Sequence, residues 1–420
     1  MQKKFDSILA DPQWAFDQER SVSKWTHGYH RYPAKFLPNI VERLIELYHP
    51  QNDGVIADLF AGCGTTLVEA KAHGYASIGT DINPIAILIT RVKTTPILPE
   101  RLLNVYNAFV GKFTNYNRDA FLEFPTHKRI DYWFESENKY KIAFLYQCAN
   151  EIDDVEIKEF FLVAISHILK NCSRWLQSST KPQIDPKKEV VDPFVAFKQH
   201  CQQMMRSNER FYAHIQEQRY ENVDCQILER DARSTGIEAE SVDTIITSPP
   251  YVTSYEYADI HQLTGYWMEF FDNLALFRQR FIGTSYSEKT SLEVSGSQLA
   301  IDIIKSLNEK SNRLARNVAT YFNDMQKVAE EMARILKPGG RACVVIGNTT
   351  LRNVEIKSSE VFYEFLCNAG LTEQDIIKRN IPNKLMPTLR DKTTGRFTTS
   401  NNKNCKRVYP NEYIIIVQKP

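Results

Sequence analysis

Short, nearly unbroken apolar runs alternate along this chain with longer stretches whose apolar residues recur every three or four positions. Val55 to Phe60, Ala76 to Asp81, Cys225 to Asp231, Val242 to Ile246, Ala342 to Ile346, Glu373 to Lys378 and Tyr413 to Val417 have the length and β-branched content of strands. Helical spacing fills several intervals: Ile40 to Tyr48, with Ile40, Val41, Leu44 and Leu47 on one face, then Leu67 to Ala72, Val318 to Leu336 and Val361 to Asn368. Seven strands separated by helices predict a three-layer α/β sandwich. Lys337-Pro338-Gly339-Gly340 predicts a helix stop and a turn ahead of the fifth strand, because glycine caps a helix and proline cannot continue one.

Between the second and third strands the regular alternation breaks. Residues 100–224 carry only helical periodicity, with Phe160, Phe161, Ala164, Ile168, Leu169 and Cys172 on one face and Phe197, Cys201, Met204, Met205, Phe211 and Ile215 on another. Prolines 182, 186 and 193 mark the stretch Ser178 to Pro193 as a loop between them. The chain therefore divides into a first half, 1–99, a helical insertion, 100–224, available for substrate recognition or as a structural cap, and a second half, 225–420. In the second half, Tyr266, Trp267, Phe270 and Phe271 stand at helical spacing and read as core. A polar region then extends to about Asn312.

Composition narrows the class. Hydrophobic residues make up 43% of the 420, enough for sizeable cores, and no stretch approaches the roughly 20 apolar residues of a membrane span. The start, Met1-Gln2-Lys3-Lys4-Phe5-Asp6, has no signal-peptide core, so a cytoplasmic protein is expected. The eight cysteines form no Cys-x-x-Cys pair and read as reduced thiols. His27 and His30 have no further ligand at metal spacing, and no metal is expected. A net charge of +1 means that any nucleic-acid contact must come from local clustering. One such cluster spans Lys378 to Arg407, where nine basic residues, among them Arg379, Lys384, Arg390, Lys392, Arg396, Lys403, Lys406 and Arg407, face a single acid, Asp391. Its interleaved Ser, Thr and Asn suit phosphate contacts, and the loop 378–411 would join the last two strands.

Two motifs carry chemistry. Ala61-Gly62-Cys63-Gly64-Thr65-Thr66 is a tight turn from strand to helix, in which Gly62 and Gly64 permit positive φ and close ligand approach. The helix start supplies free N–H groups suited to a carboxylate. Asp81 closes the next strand at the offset where dinucleotide-type folds place an acid on ribose hydroxyls. The second motif, Thr247-Ser248-Pro249-Pro250-Tyr251, follows the strand Val242 to Ile246. Its prolines fix φ and remove N–H groups, leaving the carbonyls of Ser248 and Pro249 as acceptors for a planar amine, while Tyr251 offers a flat face.

Together these motifs resemble the amino-methyltransferases of restriction-modification systems, which methylate exocyclic amines of DNA bases with S-adenosylmethionine. The resemblance covers about residues 24–99 and 223–420 and implies a class I methyltransferase sandwich with a seven-stranded, mostly parallel sheet whose last strand is antiparallel. It implies Ser248, Pro249, Pro250 and Tyr251 as the catalytic loop, and cofactor contacts from Lys35, Asp58, Phe60, Gly62, Gly64, Thr65, Asp81 and Asp231, the last at the adenine amino group. The segment His27 to Pro38 is similar to the one that closes over the methionine end of the cofactor. Serine at the first position of the loop resembles the cytosine-N4 branch, with adenine N6 as alternative. More distant alternatives are RNA guanine N2 and a non-catalytic DNA-binding protein on the same scaffold. Lys384, Arg390, Lys392, Arg396, Lys403, Lys406 and Arg407 are the expected DNA contacts, the target base is expected to be flipped out, and a cognate restriction endonuclease would be a functional, not physical, partner.

Overall fold

In the computed structural model the described residues are 2–16, 24–32, 35–50, 53–119, 125, 127–252, 256–286, 291–381, 389–393, 398–399, 401–407 and 411–420. Seven strands form the central sheet: β1 (Val55–Asp58), β2 (Ala76–Asp81), β3 (Cys225–Glu229), β4 (Val242–Thr247), β5 (Leu336–Ile346), β6 (Thr372–Asn380) and β7 (Asn411–Gln418). Their order is β3-β2-β1-β4-β5-β7-β6, and β7 alone runs antiparallel to its neighbours. All seven correspond to sequence-predicted runs, with ends shifted by a few residues.

Alternation along the strands sorts their side chains into two cores, as a period of two requires. Ala57, Ile245, Ala342, Val344, Ile346, Ile415 and Val417 meet helices α8 (Gln298–Asn308), α9 (Asn312–Ile335) and α10 (Ser358–Asn368) on one face. Ile56, Ile246, Cys343, Val345, Ile414 and Ile416 meet α1 (Pro38–Tyr48), where Ile40, Val41, Leu44 and Ile45 are buried, on the other. Leu47, expected on the apolar face of α1, is instead 55% exposed. Helix α8 lies inside the region read as polar up to Asn312, and its Ala300, Ile303, Ile304 and Leu307 join the core.

The Lys-Pro-Gly-Gly turn is placed differently from expectation. Helix α9 does end at Ile335, but the strand begins at once: Leu336 pairs with Val242, and pairing resumes only at Arg341 opposite Thr244. The four residues between are looped out as a bulge, with Gly339 at φ +78° donating to the Lys419 carbonyl at 2.8 Å.

The insertion packs into the domain. It contributes α4 (Pro99–Gly111), α5 (Ser136–Asn150), α6 (Val155–Ile168) and α7 (Pro193–Gln218), the last opened by Pro193 behind the capping carboxylate of Asp192. The predicted face Phe160, Phe161, Ala164, Ile168, Leu169 and Cys172 is fully buried, as are Phe197, Cys201, Met204, Phe211 and Ile215. Met205 is only half-buried. Phe211 and Ile215 pack with Val68 and Ala72, whereas the core of the others also takes in Ile85 and Ile89 of helix α3 (Pro84–Thr94) and Leu263, Tyr266, Trp267 and Met268, beyond the proline loop. The eight cysteines are free, five of them buried, and no helix among the described residues is long and apolar enough to cross a membrane.

Because this core is shared, the insertion and the catalytic scaffold should unfold as one unit. Phe161, ringed by Phe109 and Phe197 at 4.9 and 5.9 Å, is the test. Phe161→Ala should cost about 3–5 kcal/mol and lower a single cooperative urea transition; two separated transitions would show an insertion that folds by itself.

Candidate active site

The carboxyl ends of β1, β2, β3 and β4 open on one cavity of about 840 Å³, counted to its mouth, the place where open α/β sheets bind ligands. Strand β1 delivers Asp58, β2 delivers Asp81, the turn after β3 delivers Asp231, and β4 delivers Ser248; all four line the cavity.

The turn between β1 and helix α2 (Thr65–Ala72) is built as its sequence predicts. Gly62 and Gly64 adopt φ of +51° and +76°. A Cβ on Gly64 would lie 2.6 Å from Thr90 Cγ2, and Thr90 Oγ1 donates to the Gly62 carbonyl at 3.1 Å, so small size is required as well as positive φ. The buried ammonium of Lys93 donates to the Cys63 carbonyl at 2.8 Å and fixes the turn from behind. Asp81 holds it from the front: one oxygen accepts from the Gly62 N–H at 2.9 Å and the other from the Asn83 N–H at 2.9 Å. Burial raises the Asp81 carboxyl to about 6 despite these bonds.

Asp58 joins the two motifs. Its Oδ1 accepts from the Phe60 N–H at 3.0 Å and from Thr247 Oγ1 at 2.6 Å, so the acid that ends β1 grips the residue before Ser248. Burial raises this carboxyl to about 6 too. Thr65, Phe60 and Lys35 reach the cavity; the Lys35 ammonium lies 3.4 Å from the His27 carbonyl, and burial lowers its pKa. Asp231 is already engaged, accepting from the Arg233 N–H at 2.9 Å and pairing with its guanidinium, and that pairing keeps its carboxyl below the usual range against the opposing effect of burial.

In the proline loop, Ser248 Oγ donates to the Val345 carbonyl on β5 at 3.0 Å. The hydroxyl proton is thereby committed, which leaves the oxygen of this cavity-lining residue its acceptor capacity. Pro250 lines the cavity, whereas Pro249, Tyr251 and Gly64 are not among its wall residues. Tyr251 directs its hydroxyl to Glu412 Oε2 at 2.8 Å and rests its ring on Gly347, where a Cβ would come within 2.9 Å of the ring.

Sequence reasoning missed part of the wall. Tyr32 and Tyr257, with ring centroids 6.0 Å apart, line the cavity together with Arg280, Phe281 and Ile282. Tyr257, an aromatic six residues beyond Tyr251, carries a signal that could have found it; Phe281 and Ile282 lie in a stretch without periodicity. His27 and His30 each have a partner of their own: His27 Nε2 bonds Glu69 at 2.6 Å and His30 Nε2 bonds Ser166 at 2.9 Å.

The basic loop lies between β6 and β7, and Leu389–Asp391 pairs with Cys405–Arg407 as an antiparallel ribbon. Lys392 and Lys403 are exposed. The backbones of Arg390, Lys406 and Arg407 are in the ribbon, while Lys384 and Arg396 lie outside the described residues. Arg379 corrects the count of basic residues free for phosphate. It is 1% exposed and ion-paired with Glu412, so it is part of the fold.

The residues present fit S-adenosylmethionine: a glycine turn that closes on a helix start, an acid after β2, and aromatic walls around acidic groups complementary to a sulfonium. Comparison with known proteins agrees. The chain matches the family described as DNA methylase over residues 2–91 and 242–420, most of its length, the interval left out containing the insertion. It is 26% identical to the Type II methyltransferase M.MvaI of Kocuria varians, over 87% of this chain and 86% of that protein. To the Type II methyltransferase M.MjaII of Methanocaldococcus jannaschii it is 26% identical over 76% of each. Among solved structures it is similar to a SAM-dependent methyltransferase of Methanosarcina mazei, at 10% identity over 93% of this chain and 98% of that one with a TM-score of 0.32. TrmN of Thermus thermophilus follows at 9% identity, 92% and 49% coverage and a TM-score of 0.30. The chain belongs to the family of S-adenosylmethionine-dependent DNA methylases of restriction-modification type that act on cytosine N4 or adenine N6.

Proposed function

We propose that this chain methylates the exocyclic N4 of cytosine in a base flipped out of duplex DNA. The observation that carries the reading is Ser248, a neutral acceptor on the wall of the cavity that also holds Gly62 and Asp81. An exocyclic amine is a poor nucleophile because its lone pair is delocalised into the ring. Ser248 Oγ, its proton given to Val345, accepts from one amine hydrogen. The Pro249 carbonyl, freed of neighbouring donors by the two prolines, accepts from the other. Both bonds draw the nitrogen toward tetrahedral geometry and expose its lone pair. S-Adenosylmethionine would supply an electrophilic methyl group and leave as S-adenosylhomocysteine, the methylated nitrogen would release one proton to solvent, and the protein contributes positioning and fixed dipoles. Lys35, Asp58, Phe60, Gly62, Gly64 and Thr65 hold the cofactor, with Asp81 on its ribose and Asp231 at its adenine. Tyr251 packs on the flipped base, whose extrusion is required because its amine is unreachable within a duplex.

The basic ribbon, with Lys392 and Lys403 exposed on it, supports a phosphate-binding role for Lys384, Arg390, Lys392, Arg396, Lys403, Lys406 and Arg407. Residues 100–224 contribute to target recognition, and a restriction endonuclease of matching specificity is the functional counterpart, acting in the cytoplasm.

Nucleosides from DNA incubated with the protein and isotopically labelled S-adenosylmethionine, analysed by mass spectrometry, should carry label in N4-methylcytosine. Label in N6-methyladenine would keep the chemistry and overturn the base; no label on varied DNA would turn the reading toward RNA or a binding role. Ser248→Ala should lower kcat by about a hundredfold with cofactor affinity by calorimetry unchanged, and equal loss of both would remove Ser248 from the catalytic role.

Cofactor affinity should also report Asp81. Its carboxyl, raised to about 6 by burial, must be ionised to accept from the ribose. Affinity should therefore hold above pH 7 and fall below about 6, approaching tenfold per pH unit. Asp81→Asn should bind weakly at every pH with a flatter profile; an unchanged profile in that variant would assign the pH dependence elsewhere.

A further inference from the structure

Tyr251 is fixed by more than its own loop. Its hydroxyl donates to Glu412 Oε2 at 2.8 Å, and Glu412 is in turn ion-paired with Arg379 through its other oxygen. Arg379 and Glu412 stand directly opposite each other in the β6–β7 ladder. The Arg379 guanidinium also donates from Nε to the Trp14 carbonyl at 2.8 Å, so it has little freedom to turn away. These side chains are nearly enclosed, at 2% exposure for Arg379 and 12% for Glu412. A pair this sheltered is strong only while both partners remain, since removing one leaves an uncompensated buried charge.

The other side of the ring is equally constrained. Gly347, just past the end of β5, lies so close that a Cβ there would sit 2.9 Å from Tyr251 Cε2. The ring is thus held at its edge by a backbone surface and at its tip by an anchored carboxylate. A tyrosine placed only to fill space has no need of an ion pair at its hydroxyl.

We infer that Glu412, locked by Arg379, is a positioning residue for methyl transfer: it fixes the Tyr251 ring through the phenolic hydroxyl, so that the ring presents one face to the target base in one orientation. It acts through Tyr251 and touches neither base nor cofactor. The inference rests on the placement of Tyr251 against the base given above, and it is independent of which base is methylated. Placement errors of about 1 Å cost up to about a hundredfold in rate, which sets the scale of the effect.

The test is a double-mutant cycle on kcat with DNA and labelled S-adenosylmethionine, alongside cofactor affinity and thermal midpoint. Tyr251→Phe keeps the ring and leaves the Arg379–Glu412 pair intact, so it should fold; kcat should fall by about 10- to 100-fold with cofactor affinity within about twofold of wild type. Glu412→Gln, which retains an acceptor for the phenol, should recover most of the rate. Glu412→Leu should lose about as much as Tyr251→Phe, and the two together should lose no more than either alone, because Glu412 has no other route to the reaction. Wild-type kcat in Tyr251→Phe, or losses that multiply in the double variant, would overturn the inference. A wild-type protein that labels no DNA would count against the reading of function, which keeps the two failures distinct.

Discussion

One hydrogen bond between neighbouring strands holds the two halves of the site in register: Thr247 Oγ1 donates to Asp58 Oδ1 at 2.6 Å. Asp58 ends the strand that leads into the glycine turn, and Thr247 ends the strand that leads into the proline loop. With both groups buried, the bond cannot be exchanged for one to water without exposing the site, so the distance from the glycine turn to the proline loop is set by strand pairing and not by loop conformation. Thr66 Oγ1, donating to the Ile246 carbonyl at 3.3 Å, repeats the link one layer deeper.

Most of this was legible in the sequence because it is local. A strand, two glycines and a helix start within twelve residues specify the turn, and two prolines specify the loop, whatever surrounds them. The missing parts are long-range. Lys93, which braces the turn at Cys63, and Glu412, which anchors Tyr251, are lone charged residues at element ends. A lone charge in sequence is indistinguishable from a solvated one until the fold shows what it faces. Arg379 illustrates this: in sequence it counts among the nine basic residues of the cluster, yet strand pairing sets it opposite Glu412 and buries it. Helix α8 is a different case: Ala300, Ile303, Ile304 and Leu307 stand at i, i+3, i+4 and i+7, so its period is legible in the sequence although polar residues surround it.

The insertion shows what periodicity can and cannot say. Its apolar faces correctly marked core, because a fully buried face is the commonest cause of a helical stripe. They could not reveal that the core is shared with Tyr266 and Trp267, downstream of the catalytic loop. Through that contact the insertion buttresses the segment that supplies Tyr257 to the cavity wall. Any recognition role for residues 100–224 is therefore built on a structural one, and the two cannot be separated by deleting the insertion.

The choice of serine at position 248 follows from the electrostatics of the cavity. Asp58 and Asp81 are already there, and burial, the largest cause for each, raises both to about 6 against the hydrogen bonds they accept. A third carboxylate at the head of the proline loop would repel both and push one or more toward the protonated state, where it would accept hydrogen bonds less strongly from the backbone and Thr247 donors it now holds. A hydroxyl whose proton is committed to the Val345 carbonyl supplies an acceptor of fixed direction without adding charge. Its weaker basicity suits an amine whose hydrogens are held during attack, the one surplus proton leaving the nitrogen only once the methyl group has arrived. Tyr251, with its phenol pushed well above the ordinary range by burial and then by Glu412, likewise stays neutral. The proline loop of this chain thus carries oriented, uncharged polar groups, and the carboxyls of Asp58 and Asp81 stand on the wall of the cavity it borders.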